Sequence, residues 1–137
     1  MTIVVDASTL LSLAFDDEGV PYGSALVAAI PGERVVAPSI LWYELRNALV
    51  VNERRGRIRP EMSTAFLALL AQLPIDVREL SPDTGVMDLA RRLGVSVYDA
   101  AYLDLAVRER AALATLDNGM IAAAGRLAIP RWEPTVG

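Results

Sequence analysis

Residues 96–119, SVYDAAYLDLAVRERAALATLDNG, decide how the rest of the chain is read. Tyr102, Leu103, Ala106 and Val107 recur with helical spacing, and Asp99 stands where that helix starts. The chain then turns into a short apolar strand, residues 112–116, which stops on Asp117. One acid thus lies at a helix N-terminus and another at the carboxyl end of a strand. In an open α/β sheet both places border one crevice, where ligands bind. Residues 2–6, TIVVD, repeat the strand-then-acid pattern and bring Asp6 to the same crevice.

Working outward, the same alternation fills the chain. After the strand at residues 2–5, Asp6-Ala7-Ser8-Thr9 opens a helix through Leu10, Leu11 and Leu13. Asp16, Asp17 and Glu18 form a charged loop, and Pro21 starts a helix through Leu26, Val27 and Ile30 that Pro31-Gly32 ends. Residues 34–37 make a second strand. Pro38 suits the first turn of a long helix over residues 39–55, stopped by Gly56. Pro60 opens another, closed before Pro74, and residues 75–80 are a third strand. Ser81-Pro82-Asp83 begins a helix ended by Gly94. Residues 118–124 are a last short helix and residues 127–129 a candidate edge strand. Strands alternating with helices imply an α/β fold with a mainly parallel sheet covered on both faces, here in a single domain over residues 1–137.

Composition removes several chemistries. With neither cysteine nor histidine there is no disulfide framework, no thiolate or imidazole metal site and no Ser-His catalysis. All 13 basic residues are Arg, which excludes lysine chemistry. A net charge of −4 argues against a general polyanion binder and leaves room for a local basic patch only. The N-terminus meets an acid at once and has no basic region, so it is not a signal peptide. No uncharged run is long enough to span a bilayer, and a reducing cytoplasmic location fits. At 53% apolar the chain has more hydrophobic surface than one small domain hides, which points to a partner or homo-oligomer interface. Leu10, Leu13, Phe15, Leu26 and Val27, with Trp42, Leu45 and Leu49 of the long helix, are expected to line an apolar groove for a partner helix.

Each acid has a plainer reading beside the functional one. Asp6 and Asp117 are good helix caps, and Asp117 sits in a turn-like Asp-Asn-Gly. Asp99 fits N3 of a capping box opened by Ser96. Glu44 differs, because Ile40, Leu41, Ala48 and Val51 surround it on a helical wheel. An ionised Glu inside an apolar stripe needs a partner, and Asn47 beside it donates a hydrogen bond but no charge. The alternative is a Glu at the stripe's rim, paired with a distant Arg. Two carboxylates about 5 Å apart repel by roughly 3 kcal/mol at an effective dielectric near 20, so several in one crevice call for a cation. Mg²⁺ and Mn²⁺ prefer such oxygen ligands, and an ion so held activates water and steadies a phosphate in transfer. Arg54, Arg55 and Arg57 read first as an exposed helix end, favoured by the dipole, and second as contacts for an RNA backbone.

Four pieces, in order, carry a family resemblance: IVVDASTLL, PSILWYELRNAL, SVYDAAYLDLA and LATLDNGM. They resemble the PIN-domain family, particularly the VapC-type toxins of prokaryotic toxin–antitoxin pairs, and the likeness covers nearly the whole chain. It implies a Rossmann-like three-layer α/β/α sandwich and an endoribonuclease using Mg²⁺ or Mn²⁺. By that likeness Asp6, Glu44, Asp99 and Asp117 are the acidic cluster, with Thr115 a supporting polar residue. It also implies a cognate VapB-type antitoxin, an RNA substrate and a homodimer. Haloacid-dehalogenase-type phosphatases and response-regulator receivers share a first strand ending in an acid or an acidic pocket, but both want a Lys that this chain lacks. A non-catalytic PIN-like assembly or binding domain is the alternative that sequence leaves open.

Overall fold

The computed structural model describes residues 1–15 and 19–135. The charged loop read at Asp16, Asp17 and Glu18 lies outside the described residues. Four strands, β1 (Thr2–Val5), β2 (Arg34–Pro38), β3 (Ile75–Arg78) and β4 (Ala112–Ala114), form one sheet in the order β3-β2-β1-β4. Every pairing is parallel. The β-branched run of β1 sits inside the sheet, and Ile3, Val4 and Val5 are wholly buried, as a strand covered on both faces requires.

Among the described residues seven α-helices make the outer layers of an α/β/α sandwich: α1 (Ala7–Leu11), α2 (Val20–Ala29), α3 (Ile40–Arg54), α4 (Pro60–Leu70), α5 (Gly85–Leu93), α6 (Val97–Glu109) and α7 (Asn118–Arg126). Helix α6 lies across β1, β2 and β4, which sets Asp99 over the carboxyl ends of the strands. The stripe of α3 that enters the core runs through Leu41, Leu45 and Leu49. Glu44 is therefore at its rim, half-buried, rather than at its centre.

Several element ends differ from the sequence reading, and for β4 and β3 one rule covers them: a strand stops where its neighbour stops. β4 ends at Ala114 instead of residue 116, because β1 pairs no further than Val5 with Ala114. β3 ends at Arg78 instead of residue 80, opposite Pro38, the last residue of its sole neighbour. Pro38 belongs to that strand and not to the first turn of α3. It lies beyond the last β1 partner, Val36, so its missing N–H costs no bond to β1. Helix α1 is short of Leu13, and the Ser12 hydroxyl donates to the Thr9 carbonyl at 2.6 Å. Helix α5 starts at Gly85, two residues after Asp83, whose Oδ1 accepts the Gly85 N–H at 3.0 Å. Residues 127–129 make a turn, with Ala128 at φ 56°, rather than an edge strand. The bridge to the sheet comes later, where Arg131 pairs in parallel with Leu113.

Half of the residues expected to line a partner groove are buried in the core instead. Leu10, Leu26 and Leu45 are fully buried and Leu49 is 1% exposed, so these side chains are core. Leu13, Phe15, Val27 and Trp42 are half-buried, and a more exposed apolar patch lies on Tyr43, Leu80, Val97 and Tyr98, which line a cleft of about 290 Å³.

Candidate active site

The two caps predicted from the sequence both form, and both leave carboxylate oxygens for other use. Asp6 follows β1 and caps α1, with Oδ1 accepting the Thr9 N–H at 3.1 Å. Asp117 caps α7 by accepting the Met120 N–H at 3.0 Å. At α6 only one arm of a capping box is a hydrogen bond: the Ser96 hydroxyl accepts the Asp99 N–H at 3.0 Å. The Asp99 carboxylate turns to a cleft of about 320 Å³, whose lining also holds Asp6, Glu44, Asn47 and Asp117. Four carboxylates from four separate segments thus share one lining that contains no Arg.

Asp6 is the most constrained of the four. It is 5% exposed, and Ser8 Oγ at 2.7 Å, Thr9 Oγ1 at 3.2 Å and Thr115 Oγ1 at 2.5 Å all donate to it. Thr115 in turn accepts the Asp117 N–H at 3.0 Å, and Ser8 accepts the Leu116 N–H at 2.9 Å. The start of α1 and the loop after β4 are so tied through one carboxylate. Thr115 thus bonds both Asp6 and the backbone of Asp117. Ser8, Thr9 and Tyr102 were not singled out. Tyr102 is buried on α6, one turn from Asp99, and its hydroxyl donates to Glu44 Oε1 at 2.5 Å. Glu44 thus has a neutral partner in place of the distant Arg that the rim reading supposed. The signal for Tyr102 was its i+3 spacing from Asp99, which places both on one helix face.

Electrostatically the cleft resists its own charge. Burial raises the Asp6 carboxyl above the ordinary range, against the hydrogen bonds from Thr115, Ser8 and Thr9. Burial also raises Glu44, eased by the Tyr102 hydroxyl and increased by Asp99 and Asp6. Asp99 is raised by burial and then by Asp117. Among the described residues no three acids are gathered tightly enough to enclose one ion as they stand. Mutual repulsion keeps uncompensated carboxylates apart. The donor chemistry nonetheless fits a hard divalent cation: oxygen donors only, high negative charge, and no competing base in the lining.

The basic run is not brought to this lining. Arg54 and Arg55 are exposed at the end of α3, whereas Arg57 bonds Asn52 Oδ1 at 2.9 Å and lies 4.7 Å from the Phe15 ring centre. Asn47 is exposed at the cleft's edge.

A family model described as PIN domain matches residues 3–126. Ribonuclease VapC3 of Pyrobaculum aerophilum is 31% identical over 121 residues, which cover 86% of this chain and 91% of that protein. Among solved structures, PAE2754 from the same organism superimposes with a TM-score of 0.72 at 25% identity, over 90% of this chain and 79% of that one. VapBC2 from Rickettsia felis, bound to a DNA fragment from their promoter, gives a TM-score of 0.69 at 13% identity over 97% and 98% of the two chains.

Proposed function

Because the chain belongs to the PIN-domain family, in its VapC-type branch, we propose that it is a divalent-metal-dependent endoribonuclease, the toxin of a VapBC-type pair. The observation that carries this reading is the cleft whose lining holds Asp6, Glu44, Asp99 and Asp117 and no Arg. Asp6, Asp99 and Asp117 would hold Mg²⁺ or Mn²⁺. Such an ion, when bound, offsets the charge of the scissile phosphate and lowers the pKa of a coordinated water.

The chain's own groups do the rest. Tyr102 fixes one oxygen of Glu44 and leaves the other to accept a proton from the attacking water. Ser8, Thr9 and Thr115 hold Asp6 in one orientation, so that the site needs little rearrangement when substrate arrives. Asn47 offers an amide at the rim. Arg54 and Arg55 stand roughly 15 Å along α3 from Glu44, at 1.5 Å rise per residue, and give a bound RNA a basic exit. Arg57 extends that edge. In this reading the partner is a cognate VapB-type antitoxin and the working form is a homodimer. Among the described residues no helix is long and apolar enough to cross a membrane.

The decisive experiment incubates purified protein with structured RNA, with Mn²⁺ or Mg²⁺ and with EDTA. Cleavage is expected with either metal, loss of it with EDTA, and loss of most activity in Asp6→Ala, Glu44→Ala and Asp99→Ala. Cleavage that survives EDTA, or that Glu44→Ala leaves untouched, rules the mechanism out.

A further inference from the structure

We propose that Arg131, in the tail beyond the residues that match the family, is a positioning residue for the acid cleft. It acts by clamping the peptide between Thr115 and Leu116. Its Nε and Nη2 both donate to the Thr115 carbonyl, at 3.1 and 2.8 Å. The other edge of the same peptide, the Leu116 N–H, is held by Ser8 Oγ at 2.9 Å. Both side chains at this peptide, Thr115 and Ser8, then donate to Asp6, one to each oxygen. The peptide is therefore gripped from both sides, and each grip leads to the same carboxylate.

The guanidinium is itself braced. It lies 4.7 Å from the centre of the Tyr22 ring, and Nη1 donates to Glu133 at 2.9 Å. The Tyr22 hydroxyl donates to the Trp132 carbonyl at 2.8 Å, and the Tyr22 and Trp132 rings meet edge to face with centres 5.4 Å apart. Trp132 N–H donates to the Leu113 carbonyl at 2.8 Å, and Leu113 N–H to Pro130 at 2.9 Å. The tail is so fixed along β4 that Arg131 has one place to reach. A planar two-donor head on a ring face is a task for Arg that Lys does not perform.

The inference rests on the nuclease reading for its purpose, so its test includes a signal that needs no metal. Amide exchange is followed in metal-free wild-type protein, R131M and R131K, and Mn²⁺ affinity is measured by calorimetry in the same proteins and in T115V. In R131M the Leu116 and Asp117 amides are expected to exchange about tenfold faster, while those of β1 and β2 keep their protection. Mn²⁺ binding should weaken by about tenfold, the scale on which groups behind a ligand act. R131K, with one donor at the carbonyl, should fall between R131M and wild type. The losses in R131M and T115V should combine to less than their product, because both act through Thr115. Wild-type exchange and affinity in R131M, or fully multiplicative losses, overturn the inference alone. Wild-type protein that takes up no Mn²⁺ overturns the nuclease reading and this inference with it.

Discussion

At the scale of single residues, the cleft separates a cap from a ligand by counting oxygens. A capping carboxylate uses one oxygen on its helix, and Asp6 and Asp117 do so. Asn caps about as well as Asp, so Asp99→Asn and Asp117→Asn should fold normally. Asp99→Asn also removes a charge that burial and Asp117 penalise, so its melting temperature without metal should match or exceed that of wild type. Mg²⁺ should raise the melting temperature of wild type and raise it less in the variants, because a ligand that binds only the folded state stabilises in proportion to its affinity. Equal shifts in all three proteins refute a shared ion. Tyr102→Phe leaves a half-buried Glu44 without its donor and should cost about 1–3 kcal/mol in urea unfolding. Unchanged stability there means that water replaces the hydroxyl. Asp6, Asp99 and Asp117 stood out in the sequence because strand-then-acid and capping patterns are local, and Glu44 because its apolar neighbours surround it on the wheel of the same helix. Tyr102 and Ser8 were not singled out, because their bonds join residues 58 and 108 positions apart, and no spacing rule spans that distance.

At the scale of elements, helix starts and stops were legible wherever a residue's own conformation fixes them. Gly94 at φ 66° ends α5, and Gly56 at φ 73° follows α3, as their positions suggested. Strand ends were less legible, because a neighbour decides them. Pro38 reads as a helix opener by propensity, yet serves as a strand end because β2 outruns β1 there. Helices α1 and α2 cross closely at Gly23, where an added Cβ would come within 2.8 Å of the Thr9 carbonyl and also strike the Ser12 hydroxyl. That carbonyl is backbone and cannot swing away. Gly23→Ala should therefore cost about 1–3 kcal/mol in urea unfolding despite the better helix propensity of Ala. Gly32→Ala, with nothing within 4 Å of the new atom, is the control and should be nearly neutral. A neutral Gly23→Ala would show that α2 shifts freely, and Asp6 with it would be less firmly placed than the hydrogen bonds imply.

At the scale of the whole molecule, the acid cleft sets the pH response. Burial raises Asp6, Glu44 and Asp99, so in each case the folded state holds its proton more tightly than the unfolded chain. Their contribution to stability is unfavourable above the raised folded values and fades as pH falls towards the ordinary carboxylate value of about 4. Asp83 runs the other way: hydrogen bonds from Arg108 lower it to about 2, and its contribution is lost only as the pH falls from about 4 through that value. Metal-free protein should thus gain melting temperature as the pH falls from neutral towards about 4, and saturating Mg²⁺ should shrink the gain. A melting temperature that climbs steadily with pH in the metal-free protein contradicts this. The same scale shows why the partner groove was misread. Apolar content counts how much must be hidden but not where, and the core took Leu10, Leu26, Leu45 and Leu49 while Tyr43 of α3 and Tyr98 of α6 stayed outside. Sheet order has a consequence for how the protein is made. β1 is synthesised first, but one of its two partners, β4, begins at Ala112, and the bond between Thr115 and Asp6 spans 109 residues. A ribosome extending the chain at about 5–20 residues per second carries an exposed Asp6 for several seconds before Thr115 exists. Every nascent chain, and every product of a broken message that stops short of that residue, holds part of the cleft and cannot close it. The acid cleft is complete only once the codon for Thr115 has been read.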